Sequence, residues 1–379
     1  MKALQLVPAM EEGGVERYVT ALNRILVEGG WENAVVSSGG KLEFDIRGGR
    51  GRTLELDLKS KNPLNAVVRA LRLRRLILAE RPDVVVAHSR VPAWLFVLAR
   101  RIHRLLSAVR RGRGPAFPRF VTYAHGANSI SRYSRVMTAG ELVMCPSGFI
   151  REYLMNAYGT PADRFRVVPH AVDFVRFDPG RLDSGFVAAK RAEWGIRPGD
   201  RVVMCVGRIT PVKGLDNLIA ELSAARRAPS PVPRSPLRLV IVGGAEKRRE
   251  AYFESLRELA AGAAGLETVF AGPQSKVPEC LSLADVVVSA NVVKPESFGL
   301  SMAEALAMGK PVVAKGFGGA LDIVRDGVDG VFCDRGGFAA AVEKALSLDA
   351  SHIRADAMAR FDFGVMAART MAVYGSLVG

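Results

Sequence analysis

Val286-Val287-Val288 sets three β-branched residues in one short apolar run, and Pro311-Val312-Val313-Ala314 forms a second. Runs this short and apolar read as strands buried on both faces, the kind that parallel sheets contain. Between them Leu300, Met302, Ala303, Ala305, Leu306, Ala307 and Met308 make an apolar helix carrying one charge, Glu304. Strand, loop, helix, strand is the order of a βαβ unit. The same alternation recurs along the chain, with strands expected at 2–7, 35–38, 84–87, 120–124 and 142–145, then at 202–207, 239–242 and 268–270. Two successive arrays predict an α/β fold of two facing Rossmann-like domains with an inter-domain cleft. The expected boundaries are 1–175 and 201–360 for the domains and 176–200, rich in Pro, Gly and charge, for a linker. A last helix over 361–379 is expected to pack back on the first domain.

A chain of 379 residues is long enough for two full cores, and 49% hydrophobic with 24% charged residues is an ordinary globular balance. Cys145, Cys205, Cys280 and Cys333 are too far apart in sequence for a zinc or redox pair, a pattern that fits a reducing compartment. No apolar run reaches the ~18 residues of a membrane span, and the run after Met1 reads as a first strand rather than a signal peptide. The net charge of +15 is concentrated: from Lys59 to Arg119 there are fifteen Lys or Arg against Glu80 and Asp83. Arg110-Arg111-Gly112-Arg113-Gly114-Pro115 reads as an exposed basic loop. Such a face points to a polyanionic partner. No helix-turn-helix, zinc module or aromatic stacking motif accompanies it, so nucleic acid is not expected.

The candidate site residues lie at strand ends. Ser297, Phe298, Gly299 and Leu300 open the apolar helix, where backbone N–H groups can meet a phosphate. Glu304 is five residues past Gly299, roughly 7–8 Å along the axis, about the distance from a diphosphate to the ribose diol of the same nucleotide. A carboxylate left unpaired in so apolar a helix would be costly, which favours a ligand-binding role. Arg208 and Lys213 follow the strand 202–207 on one short loop and suit a diphosphate. Gly13-Gly14 follows the first strand and lets backbone approach a ligand. His125 lies just past the strand 120–124, placed to face a cleft.

Together these residues resemble the retaining glycosyltransferases of family 4, with the GT-B fold, over nearly the whole chain. Glu296 and Glu304 match that family's Glu-x7-Glu pattern, Gly207-Arg208 with Lys213-Gly214 its phosphate loop, Gly13-Gly14 its N-terminal glycine loop, and Val168-Pro169-His170 its usual Val-Pro-Asn. The resemblance implies an acceptor-binding first domain and a second that binds a nucleotide-diphosphate sugar. It implies that Arg208 and Lys213 hold the diphosphate, Glu304 the ribose, and Glu296 with the backbone of Phe298, Gly299 and Leu300 the donor sugar, with His125 near the donor sugar and the acceptor hydroxyl. It further implies retaining transfer with no enzymatic nucleophile, Arg208 and Lys213 stabilising the leaving group. With no Asp-x-Asp motif, neither metal nor cofactor is expected. His170 in place of Asn, and Asp322 in the loop 318–322 where relatives carry Glu, depart from the pattern. The basic first half directs the expectation to a lipid-linked or lipopolysaccharide-core acceptor, at an anionic membrane surface on the cytoplasmic side. The competing readings are a sugar-nucleotide epimerase or hydrolase on the same fold, and a non-enzymatic polyanion binder.

Overall fold

The computed structural model describes residues 1–11, 13–109, 115–228, 235–245, 249–291, 293–334 and 336–378. The basic loop 110–114 and most of the Pro-rich stretch 229–236 therefore lie outside the described residues. The chain divides into two compact units, Met1–Ala171 with Phe363–Gly379, and Val172–Asp362.

The first unit holds one parallel sheet of β1 (Lys2–Leu6), β2 (Glu32–Ser37), β3 (Arg52–Glu55), β4 (Val84–Ala87), β5 (Arg119–Tyr123), β6 (Leu142–Cys145) and β7 (Phe165–Val167). Their order is β3-β2-β1-β4-β5-β6-β7. Alternate residues feed two cores: Leu4, Leu6, Val85 and Phe120 face one layer of helices, and Ala3, Val84, Val86 and Val121 the other. Both faces are covered, which is why the strands read as unbroken apolar runs. Helix Phe363–Val378 joins the second layer: it packs against helix Gly14–Glu28, buries Met366, Val373 and Tyr374, and sets the Tyr374 ring 5.7 Å from Trp31.

The second unit repeats the plan with β8 (Arg201–Val206), β9 (Leu237–Val242), β10 (Glu267–Gly272), β11 (Val286–Ser289), β12 (Val312–Lys315) and β13 (Gly330–Cys333), in the order β10-β9-β8-β11-β12-β13. All the pairings are parallel. The chain is thus two parallel-sheet α/β domains.

Three details depart from the sequence expectation. Residues 176–200 are part of the second unit: Phe177, Trp194 and Ile196 sink into its core and helix Ser184–Glu193 lies between them. Phe177 and Trp194 stand seventeen positions apart, so the anchors show no period. β3, β7 and β13 were not legible, because Arg52-Thr53-Leu54-Glu55 is a mostly polar edge strand, Phe165-Arg166-Val167 is an edge strand of three residues, and Gly330 opens the last. Asn62-Pro63 reads in the sequence as an N-cap and first-turn proline, but helix Ala66–Glu80 starts at Asn65, and the Asn62 carboxamide oxygen accepts from the N–H of Leu64 at 2.9 Å.

Candidate functional site

In the second unit the sequence-predicted residues gather at the C-terminal ends of β8 and β11. After β8 the chain passes Gly207 and the exposed Arg208, buries Ile209, and makes one short turn, Pro211–Lys213, into helix Leu215–Arg227. The N–H of Ile209 donates to the Gly244 carbonyl at 3.0 Å and that of Gly207 to Val242 at 2.9 Å, pinning this loop to the one after β9. The Lys213 ammonium is ion-paired with the Glu296 carboxylate, although 83 residues separate them.

After β11, Asn291 is buried and donates from Nδ2 to the Lys294 carbonyl at 3.3 Å. Phe298 is buried edge-on against Phe361, and helix Leu300–Ala307 begins at Gly299. Gly299 has φ +103°, and a Cβ there would collide with the Met302 methyl, so the turn into the helix demands glycine. Behind it Gly319 donates its N–H to the Glu296 carbonyl at 2.8 Å, and a Cβ on Gly319 would overlap the backbone of Phe298. The loop after β12 thus braces Glu296 and Phe298 from below. A small cavity opens here, lined by Gly207, Arg208, Lys213, Ser289, Asn291 and Ser301.

Two cations, the start of a glycine-capped helix and neutral polar groups around one cavity suit an anion with a polar body. Ser301, rather than Glu304, supplies the helix's share of the wall. Glu304 lies one turn further along, half-buried between the fully buried Ala303 and Ala305. Cys205 also lines the cavity; burial pushes its thiol up to about 12, against the opposing effect of Lys213, so it stays protonated near neutral pH. Asp322 is exposed, and its backbone carbonyl accepts from Arg360 at 3.3 Å. Ser289, Asn291 and Ser301 were missed in the sequence, where small polar residues beside a strand end carry no distinctive signal.

The remaining candidates lie in the first unit. Gly13 precedes helix Gly14–Glu28 with extended backbone, and a Cβ on Gly14 would meet open space. His125 follows β5, His88 follows β4 and His170 follows β7, and the three rings form a row. His88 Nδ1 lies 2.9 Å from His125 Nε2, and His125 Nδ1 lies 3.2 Å from His170 Nε2. Tyr18 packs edge-on against Tyr123 and His125, closing one side of the row. Burial lowers His88 to about 3, with His170 adding to the shift, and lowers His170 to about 4. His125 is lowered well below its ordinary value by burial first and then by its two neighbours. All three rings are therefore neutral near pH 7.

The basic stretch 59–119 divides in two. Arg69 is buried and donates to the backbone carbonyls of Asp57, Ser60 and Asn62, and Arg119 is ion-paired with Glu141 at 3.0 Å. Lys61, Arg72, Arg75, Arg101 and Arg104 are exposed, interleaved with exposed Leu64, Val67, Val68, Leu105 and Leu106. Among the described residues no helix is long and apolar enough to cross a membrane.

Two parallel α/β sheets with an anion-suited site at strand ends define a class of domain that takes phosphate-bearing ligands, and comparison with known proteins narrows the class. Residues 12–176 match Glycosyltransferase Family 4, and residues 187–360 match Glycosyl transferases group 1. The chain carries glycosyltransferase domains of these two types. It is similar to the D-inositol 3-phosphate glycosyltransferase of Nocardia farcinica, 39% identical over 182 residues, a match that spans 47% of this chain and 38% of the Nocardia protein. The match thus spans under two fifths of that relative's own length. Among solved structures, a glycosyltransferase from Rickettsia africae superposes with TM-score 0.83 at 22% identity, covering 100% of this chain and 98% of the other. Anabaena HepE in complex with UDP and glucose gives TM-score 0.74 at 19% identity, covering 99% and 100%. At these identities the likeness is one of fold, and the fold is that of the GT-B glycosyltransferases.

Proposed function

We propose that this chain transfers a sugar from a nucleotide-diphosphate donor to a hydroxyl of a phosphate-bearing acceptor, with retention and without a metal. The observation that carries the reading is the Lys213–Glu296 ion pair beside Arg208 and the start of helix Leu300–Ala307. A diphosphate arriving at this cavity competes for Lys213 and releases the Glu296 carboxylate to accept hydrogen bonds from donor-sugar hydroxyls. As the glycosidic bond lengthens, negative charge grows on the departing phosphate, and Arg208, Lys213 and the helix start hold it without reorganising. Glu304 receives the ribose diol in this scheme. The leaving phosphate, rather than a protein nucleophile, takes the acceptor's proton.

For the acceptor, the interleaved arginines and apolar side chains of helices Ala66–Glu80 and Arg90–Val109 favour a lipid-linked or lipopolysaccharide-core molecule, met at an anionic membrane surface on the cytoplasmic side. The name of the Nocardia relative favours a second reading, in which the acceptor is a soluble inositol phosphate. Incubation of the chain with labelled nucleotide sugars, and either anionic-lipid extracts or inositol 3-phosphate, separates the two. A labelled product whose anomeric configuration matches the donor's supports retaining transfer. Free sugar alone, or an interconverted nucleotide sugar, would instead identify a hydrolase or an epimerase.

A further inference from the structure

The histidine row continues into a row of buried amides, and the sense of every hydrogen bond follows from its far end. The Ile46 carbonyl can only accept, so Asn23 turns Nδ2 toward it at 3.2 Å and leaves Oδ1 for Asn33, whose Nδ2 donates at 2.8 Å. Asn33 thereby offers its own oxygen to Gln5 Nε2 at 3.2 Å, and Gln5 offers Oε1 to His88 Nε2 at 2.8 Å. An amide oxygen cannot donate, so the proton in this last contact belongs to His88. A neutral His88 protonated on Nε2 keeps its lone pair on Nδ1, the atom that faces His125 Nε2. The step then repeats: His125 donates from Nε2 and accepts on Nδ1, where the donor is Nε2–H of His170. Gln5, Asn23, Asn33 and His88 are each at most 4% exposed, so water does not compete for these contacts.

Both ring nitrogens of His125 are thus engaged by other histidines. The resemblance implies a place for His125 near the donor sugar; within this row its two ring nitrogens carry orientation from one ring to the next. We propose that Gln5, Asn33 and Asn23 are positioning residues that act through His88, holding all three histidines as Nε2–H tautomers with Nδ1 as the accepting nitrogen of each ring. A catalytic role for the row rests on the glycosyl-transfer reading; the tautomers do not. Gln5 interrupts the apolar run Ala3–Leu6 of β1, and β1 lies beside β4 in the sheet, which brings it under His88.

The test is long-range proton–nitrogen correlation NMR of the whole chain labelled with 15N-histidine at pH 7.5, each ring assigned by its single His→Gln variant. The expected result is Nε2–H on His88, His125 and His170. Gln5→Leu, which removes both the donor and the acceptor, should scramble the tautomers of all three rings together. Gln5→Glu, which keeps an oxygen facing His88 Nε2, should preserve them. Nδ1–H on any of the three in the wild type, or unchanged tautomers in Gln5→Leu, would overturn the proposal. Should Gln5→Leu fail to fold, the wild-type and Gln5→Glu spectra still decide. The spectra need no substrate, so a chain with three Nε2–H rings and no sugar transfer would sink the functional reading and leave the row standing. Where transfer is observed, Gln5→Leu should lower kcat on the order of tenfold with the donor KM unchanged, the pattern of a residue that orients another.

Discussion

Acidification should destabilise the first unit well above the pH at which its carboxylates titrate, and the histidine row supplies the reason. His88 and His170 are lowered by burial to about 3 and about 4, whereas an unfolded histidine titrates near 6.5. Between those values the unfolded chain binds more protons than the folded one, so stability rises with pH. The contribution is fully present above pH ~6.5 and is lost as the pH falls toward the folded values. Between pH 7 and pH 5 each of these two histidines removes about 2 kcal/mol of stability, from ~1.4 kcal/mol per unit of pKa difference. His125, lowered in the same direction, adds to the loss. Trp194 is buried in the second unit, so in a Trp194→Phe background the fluorescence of Trp31 and Trp94 reports the first unit alone. Urea unfolding at pH 7, 6 and 5 then gives the pH dependence directly. In His170→Asn the loss from pH 7 to 5 should be about 2 kcal/mol smaller, because an amide does not titrate, and His88 and His125 stay lowered chiefly by burial. A pH dependence equal in the two proteins would refute the claim that His170 is held neutral by burial.

Other consequences are as concrete. Gly299→Ala forces a side chain into left-handed backbone and against Met302, and should cost about 1–3 kcal/mol in urea unfolding of the second unit. Lys213→Met should weaken nucleotide-sugar binding at least about tenfold by calorimetry, the worth of one charge-assisted hydrogen bond; the melting temperature should change little, since the pair is part-exposed. Asp329 is buried and accepts from the backbone N–H of Arg325 at 2.7 Å, from Arg325 Nε at 2.8 Å and from Arg360 at 2.9 Å. Asp329→Asn should therefore destabilise the second unit by about 3 kcal/mol, again read by urea unfolding. Sugar transfer should persist in excess chelator, because Arg208 and Lys213 supply the positive charge a metal would; complete loss would contradict this.

Most strands of both sheets were legible, because a strand buried on both faces, such as Val84–Ala87 or Val286–Ser289, leaves an apolar run with turn residues on either side. β3 was illegible for the opposite reason: an edge strand with half its face in water carries the composition of a loop. Of the candidate site, the loop residues could be read from their place after a strand, but not which of them touch. The Lys213–Glu296 pair depends on β8 and β11 being neighbours, and the Gln5–His88 contact on β1 lying beside β4. Both are facts of strand order, to which local periodicity is blind. The segment 176–200 misled because its anchoring residues, Phe177, Trp194 and Ile196, enter the core one at a time.

Sugar transfer by this chain requires a nucleotide sugar to bind at the start of helix Leu300–Ala307. The most direct measurement is the melting temperature of the purified chain with UDP-, GDP-, ADP- and TDP-sugars, beside Glu304→Ala. A ligand at about 100 times its Kd adds about 2.7 kcal/mol to the folded state, a shift of a few degrees. One nucleotide class should raise the wild-type melting temperature, and Glu304→Ala should lose most of that rise. No shift with any donor, or an equal shift in the variant, would contradict it.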